Sequence, residues 1–163
     1  MSRYLLAVLQ FSTRRSVLAG LVGVSALGFL GSAPTPSHAG VASFTDSIKE
    51  MVIGQADAPL TIVEYASLGC SHCASFHHDV YPELKRDYID TGKVKFVFRD
   101  FPLGAPALAA TMIARCSGSE RYFGFVDIFF RTQPQWSPAN NPLDALTKVA
   151  RFGGMAPADV EAC

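Results

Sequence analysis

The first 39 residues contain no aspartate and no glutamate. Their only charges are Arg3, Arg14 and Arg15, a one-sided pattern that belongs to a targeting segment rather than to a folded surface. No apolar run is long enough for a membrane span, which needs about 20 predominantly apolar residues. The longest candidate, VLAGLVGVSALGFLG from Val17 to Gly31, is short and glycine-rich. It fits the core of an export signal, and the polar SAPTPSHAG around it supplies Ser37 and Ala39, small residues of the kind a signal peptidase requires. Cleavage is therefore expected after Ala39, leaving no stable membrane insertion. The chain also lacks a basic cluster, which removes nucleic acid from the expected partners. It has no internal repeat and no low-complexity tract.

What remains is one domain's worth of chain. Of the 14 basic residues three fall in the first 39, leaving 11 against 14 acidic ones in the 124 residues that follow. TRRSVLAG, from Thr13 to Gly20, resembles a twin-arginine export signal, with Val17 where that pattern usually carries Phe. All four cysteines (Cys70, Cys73, Cys116 and Cys163) lie beyond the export segment, and disulfides persist in an exported compartment. Four cysteines allow three connectivities, and spacing does not choose among them.

The mature chain opens on a polar stretch, Val41 to Met51, in which Thr45 or Asp46 is expected to cap a short helix. IGQADAPL then reads as a loop, so residues 40–58 form an N-terminal extension. LTIVEY, Leu60 to Tyr65, is β-branched and almost wholly apolar, the pattern of a strand buried on both faces. A helix is expected from about Ser71 to Thr91, broken near Tyr81 by Pro82 and ended by Gly92. KVKFVFR, Lys93 to Arg99, alternates with period two and makes a second strand; strand, helix, strand implies a parallel βαβ unit. From about residue 105 the pattern is helical: ALAATMIARC, RYFGFVDIFFRT, PLDALTKVARFG and the opening APADVEAC, with TQPQWSPANNP as a long loop. The aromatic run Tyr122 to Phe130 reads as core packing, with a hydrophobic peptide-binding surface as the alternative.

The chemistry concentrates in SLGCSHCASFHH, Ser67 to His78. A Cys-x-x-Cys pair between a strand and a helix has a physical use, because the free N–H groups and positive dipole end of the helix stabilise a thiolate at the first cysteine. Cys70 is the candidate nucleophile and Cys73, one turn further in, the resolving thiol. His72, beside the thiolate, is expected to add positive charge and a hydrogen bond, which makes the disulfide more oxidising. A zinc or copper module is the rival reading, because Cys73 and His77 share a helical face with Cys70, His72 and His78 in reach. Against it, Cys116 and Cys163 lack the Cys-x-x-Cys or His-x-x-His spacing of a second ligand pair. His77 and His78 are expected at the surface or in a groove.

EYASLGCSHCASFHHDVYPELK, followed by GKVKFVFRDFP, resembles the DsbA family of periplasmic thiol:disulfide oxidoreductases, which have a thioredoxin-like α/β fold with a helical insertion. The usual family motif is Cys-Pro-His-Cys, and Ser71 replaces the proline here; the resemblance implies a shift of redox poise with the chemistry retained. It implies that Glu64, six positions before Cys70, is a partly buried acid that helps transfer the proton of Cys73, where the residue alone also reads as a strand-edge charge reaching solvent. It implies an extra disulfide between Cys116 and Cys163, which as residues could equally be two free thiols. Implied partners are cysteine-containing exported proteins and a membrane quinone-linked reoxidising protein; no cofactor or metal is required. Reductase or isomerase activity is the nearest alternative. The resemblance covers roughly Ile53 to Cys163. Family members continue with a strand preceded by a cis-proline, a further strand and a closing helix, so residues 59–163 are expected to be a partial domain whose C-terminal strands and helix are missing. Two strands alone would leave a sheet edge unpaired.

Overall fold

The computed structural model of the chain describes residues 40–163. The export segment expected over 1–39, with its cleavage point after Ala39, lies outside the described residues. Within them a mixed three-stranded sheet carries helices and a long helical segment, the thioredoxin-like arrangement with insertion expected from the sequence. The strands are β1 (Met51–Ile53), β2 (Leu60–Ala66) and β3 (Val94–Asp100), in the order β1-β3-β2. β2 pairs parallel to β3, with Glu64 opposite Phe98, and β1 pairs antiparallel, with Met51 opposite Phe98.

β1 was not expected. MVI is too short to show a periodicity, and its pairing with β3 brings part of the 40–58 segment into the sheet. The short helix before it, α1 (Phe44–Ser47), is capped by Ser43, whose Oγ accepts the Asp46 N–H at 3.2 Å, and not by Thr45 or Asp46. The Asp46 carboxylate instead accepts from the backbone N–H and the hydroxyl of Ser119, each at 3.1 Å, and so ties the N-terminal segment to the helical part.

β2 is not buried on both faces. Leu60 and Tyr65 are each 63% exposed, because the strand order puts β2 at the sheet edge. The central position belongs to β3, where Val94, Phe96, Val97 and Phe98 are all buried. Phe96 and Phe98 face the helices, while Val97 lies on the other face between Val52 and Val63 in register.

The crossover from β2 to β3 consists of α2 (Ser71–Asp79), α3 (Tyr81–Leu84) and a π-helical turn, Lys85–Ile89. The break falls at Val80, next to Tyr81, as Pro82 in the first turn of α3 requires. Gly92 then adopts φ +75°, where a side chain would be strained and a Cβ would meet the Gln55 amide.

Four long or short helices follow the pattern read from sequence: α4 (Ala105–Cys116), α5 (Tyr122–Arg131), α7 (Pro142–Phe152) and α8 (Pro157–Ala162). Between them TQPQWSPANNP is not all loop, since Gln133–Trp136 forms a helical turn, α6. Trp136 is fully buried and its indole N–H donates 3.0 Å to Phe129 O, which pulls that turn onto α5. Tyr122, Phe125, Val126, Phe129 and Phe130 of α5 are buried, so the aromatic run is core. Cys116 and Cys163 are bonded, with Cα atoms 6.0 Å apart, closing a loop of 47 residues around α5–α8.

Candidate active site

β2 ends at Ala66 and the chain turns through Ser67, Leu68 and Gly69 into α2. Ser67 and Leu68 are buried. The Ser67 hydroxyl oxygen accepts the backbone N–H of Gly69 at 3.2 Å and of Leu103 at 3.1 Å, and the Cys70 N–H donates 3.0 Å to Ser67 O. Gly69 packs closely on α4: a Cβ there would sit 3.1 Å from the Ala107 methyl, tight enough that α4 would have to give by a few tenths of an ångström.

Cys70 is the N-cap of α2, with extended backbone (φ −87°, ψ 120°), and its Sγ accepts the Cys73 N–H at 3.4 Å. Sulfur thus occupies the place an aspartate or serine oxygen takes in an ordinary cap. Hydrogen bonding from the Cys73 side chain and then from the Cys73 N–H lowers the Cys70 pKa, with a smaller contribution from the His72 N–H. Burial pushes Cys73 the other way, up to about 11, aided by its bond to Cys70 and by the charges of Cys70 and Glu64. Both cysteines are partly exposed, and Cys73 packs against the core. Of the pair, the thiol at the helix cap therefore gives up its proton first and the one a turn inside holds it longer.

The sequence placed His72 beside the thiolate as a charge. Its imidazole is exposed and has no hydrogen-bond partner among the described residues; what faces Cys70 is its backbone N–H. Glu64 is partly buried rather than an open strand-edge charge: its side chain is 15% exposed and its Oε2 lies 3.0 Å from His77 Nε2. His77 is not a surface residue. It is buried, stacks on Phe130 at 4.3 Å, lies tilted against Tyr81 at 4.8 Å, and holds Glu64 from the helix side. Its placement four residues after Cys73 was a signal that it shares the inward face of α2; His78, one residue on, is exposed. Burial, then the Glu64 charge, raises the Tyr81 phenol to about 12.

Gln133 carried no signal in the sequence. It is buried, and its Nε2 donates 2.6 Å to Leu68 O and 3.0 Å to Cys70 O. No group of three or more His, Cys, Asp or Glu side chains among the described residues is arranged to hold a metal ion.

The family model described as thioredoxin matches residues 46–163. The chain belongs to the thioredoxin family. Within it the likeness is to DsbA proteins, as the Cys70 segment led one to expect. The solved alpha-DsbA1 of Wolbachia pipientis is 36% identical, with a TM-score of 0.66 over 71% of this chain and 59% of that one. Oxidised BdbD from Bacillus subtilis is 25% identical, with a TM-score of 0.62 over 76% of this thioredoxin-family chain and 68% of its own. A Rickettsia bellii protein named "Putative protein-disulfide oxidoreductase" is 39% identical over 115 residues, which is 70% of this chain and 44% of that one. The chain spans less than half the length of the curated Rickettsia relatives it matches.

Proposed function

We propose that the chain is, or is part of, a thiol:disulfide oxidoreductase that introduces disulfides into exported proteins. The observation that carries this reading is the opposed pair of thiols, Cys70 lowered at the cap of α2 and Cys73 raised to about 11 behind it. A substrate thiolate attacks Cys70 Sγ of the oxidised pair; the Cys70–Cys73 bond breaks and Cys73 leaves with the electron pair. Its high proton affinity then draws a proton, for which Glu64, held by His77, is the donor on this reading. The substrate's second thiolate attacks its own sulfur in the mixed disulfide and expels Cys70, a good leaving group because its thiolate is stabilised. The substrate is oxidised by two electrons and the pair is reduced.

A stabilised Cys70 thiolate makes the reduced form favourable and the disulfide oxidising, which favours oxidase over reductase or isomerase. The Arg14-Arg15 segment supports export by the twin-arginine route and action in the periplasm, and the resemblance to DsbA supports a membrane quinone-linked partner that restores the disulfide. The oxidised full chain mixed with a reduced two-cysteine peptide tests the reaction. Peptide disulfide should form while Cys70 and Cys73 become free in equal amount, and Cys70→Ser should abolish it. A peptide that stays reduced, or is oxidised equally well by Cys70→Ser, sinks the proposal.

A further inference from the structure

Gln133 is a polar side chain only 7% exposed, in a helical turn of the insertion, yet both of its hydrogen bonds go to the turn that carries Cys70. The orientation of its amide is fixed by those partners, because the flipped amide would set its oxygen against two carbonyl oxygens. Cys70 O is also the first acceptor of α2, taking the Ala74 N–H at 3.1 Å. A carbonyl has two lone pairs, and Gln133 fills the one the helix leaves. From the other side the Ser67 hydroxyl holds the same turn to the loop after β3 through Leu103. The turn is thus clamped between sheet and insertion. α6 is itself anchored to α5 through Trp136 and Phe129 O, so the clamp has a rigid base.

We propose that Gln133 is a positioning residue for the redox pair: by tying Leu68 O and Cys70 O to α6, it holds the first turn of α2 so that the Cys73 N–H stays on Cys70 Sγ. This rests on the reading of Cys70 as nucleophile given above. With the amide gone, Leu68 O loses the Gln133 donor, Cys70 O keeps only the Ala74 N–H, and the turn that presents the Cys73 N–H to Cys70 Sγ loses its tie to α6. The helical insertion then sets the poise of a centre to which it contributes no sulfur.

The test is Gln133→Met, close in volume and lacking the donors, in the full chain. The pH profile of Cys70 alkylation by iodoacetamide is read by mass spectrometry beside the equilibrium with glutathione. The Cys70 midpoint should rise by about half to one pH unit, so that alkylation at pH 7 slows about three- to tenfold, with the pair correspondingly more reducing. Arg115→Met, which removes bonds to Asp100, Ser47 O and Lys49 O and none to the Cys70 turn, should lower the melting temperature and leave the Cys70 midpoint in place. A wild-type midpoint below the ordinary thiol value with an unchanged midpoint in Gln133→Met overturns the role of Gln133 alone, as does an equal rise in Arg115→Met. A wild-type Cys70 that titrates as an ordinary thiol overturns both this inference and the assignment of the nucleophile. Should Gln133→Met not fold, Gln133→Asn, whose shorter amide does not span both carbonyls, decides by the same readings.

Discussion

Two cysteines three residues apart differ because the helix between them has a direction. Cys70 stands outside the first turn with N–H groups pointing at its sulfur, and Cys73 stands inside it against apolar neighbours and the Glu64 charge. A thiolate is nucleophilic and a thiol is not, so the difference is directly visible in reactivity. In the reduced full chain, Cys70 should be alkylated with a midpoint below the ordinary value near 9, and Cys73 only as the pH approaches about 11. Iodoacetamide labelling at a series of pH values, with peptide mapping, measures both. Two cysteines rising together near pH 9 would remove the helix cap as the source of the chemistry. The same scale explains His77: an imidazole between Phe130 and Tyr81 needs a polar partner once buried, and Glu64 supplies it.

At the scale of elements, the end of β3 is joined to the helical part through Asp100, which takes a side chain from each of two helices. Arg115 of α4 pairs with Asp100 at 2.6 Å and donates to Ser47 O at 3.0 Å and Lys49 O at 2.6 Å, while Tyr122 donates to Asp100 at 2.7 Å. Sheet, N-terminal segment and two helices meet there. Arg115→Met should destabilise the domain by about 3 kcal/mol, since it leaves a largely buried carboxylate short of a partner and frees two carbonyls. Urea denaturation measures this, and a loss under about 1 kcal/mol would show the junction to be held by packing alone. Helices α4, α5, α7 and α8 were legible because proline, glycine and a steady apolar period mark them. The strands were legible as strands and misread as to place. LTIVEY has the composition of a central strand, but a strand's place in the sheet follows from which partners flank it, which local sequence does not carry. β1 was hidden by its three-residue length, α6 by its turn-forming neighbours. Of the site, the cysteines and Glu64 could be read from spacing and resemblance. His77 could have been placed from its turn of helix, but Gln133 could not, because its contacts are 63 and 65 residues away in sequence.

Over the whole molecule the two cysteine pairs divide the work. Cys116–Cys163 closes 47 residues of the helical part, worth roughly 4 kcal/mol by loss of unfolded-chain entropy. Cys70 and Cys73 sit where the sheet, α2 and the insertion meet, each contributing one constraint: Ser67 from the strand side, the cap from α2, Gln133 from α6. Among the described residues no helix is long and apolar enough to cross a membrane. The most direct measurement is a redox titration of the full chain in glutathione buffers, with all four cysteines followed by alkylation and mass spectrometry. Cys70 and Cys73 should interconvert together in one two-electron step at an oxidising potential, above about −200 mV, while Cys116 and Cys163 stay linked throughout. Independent titration of Cys70 and Cys73, or a joint step below about −300 mV where structural disulfides lie, would contradict the account.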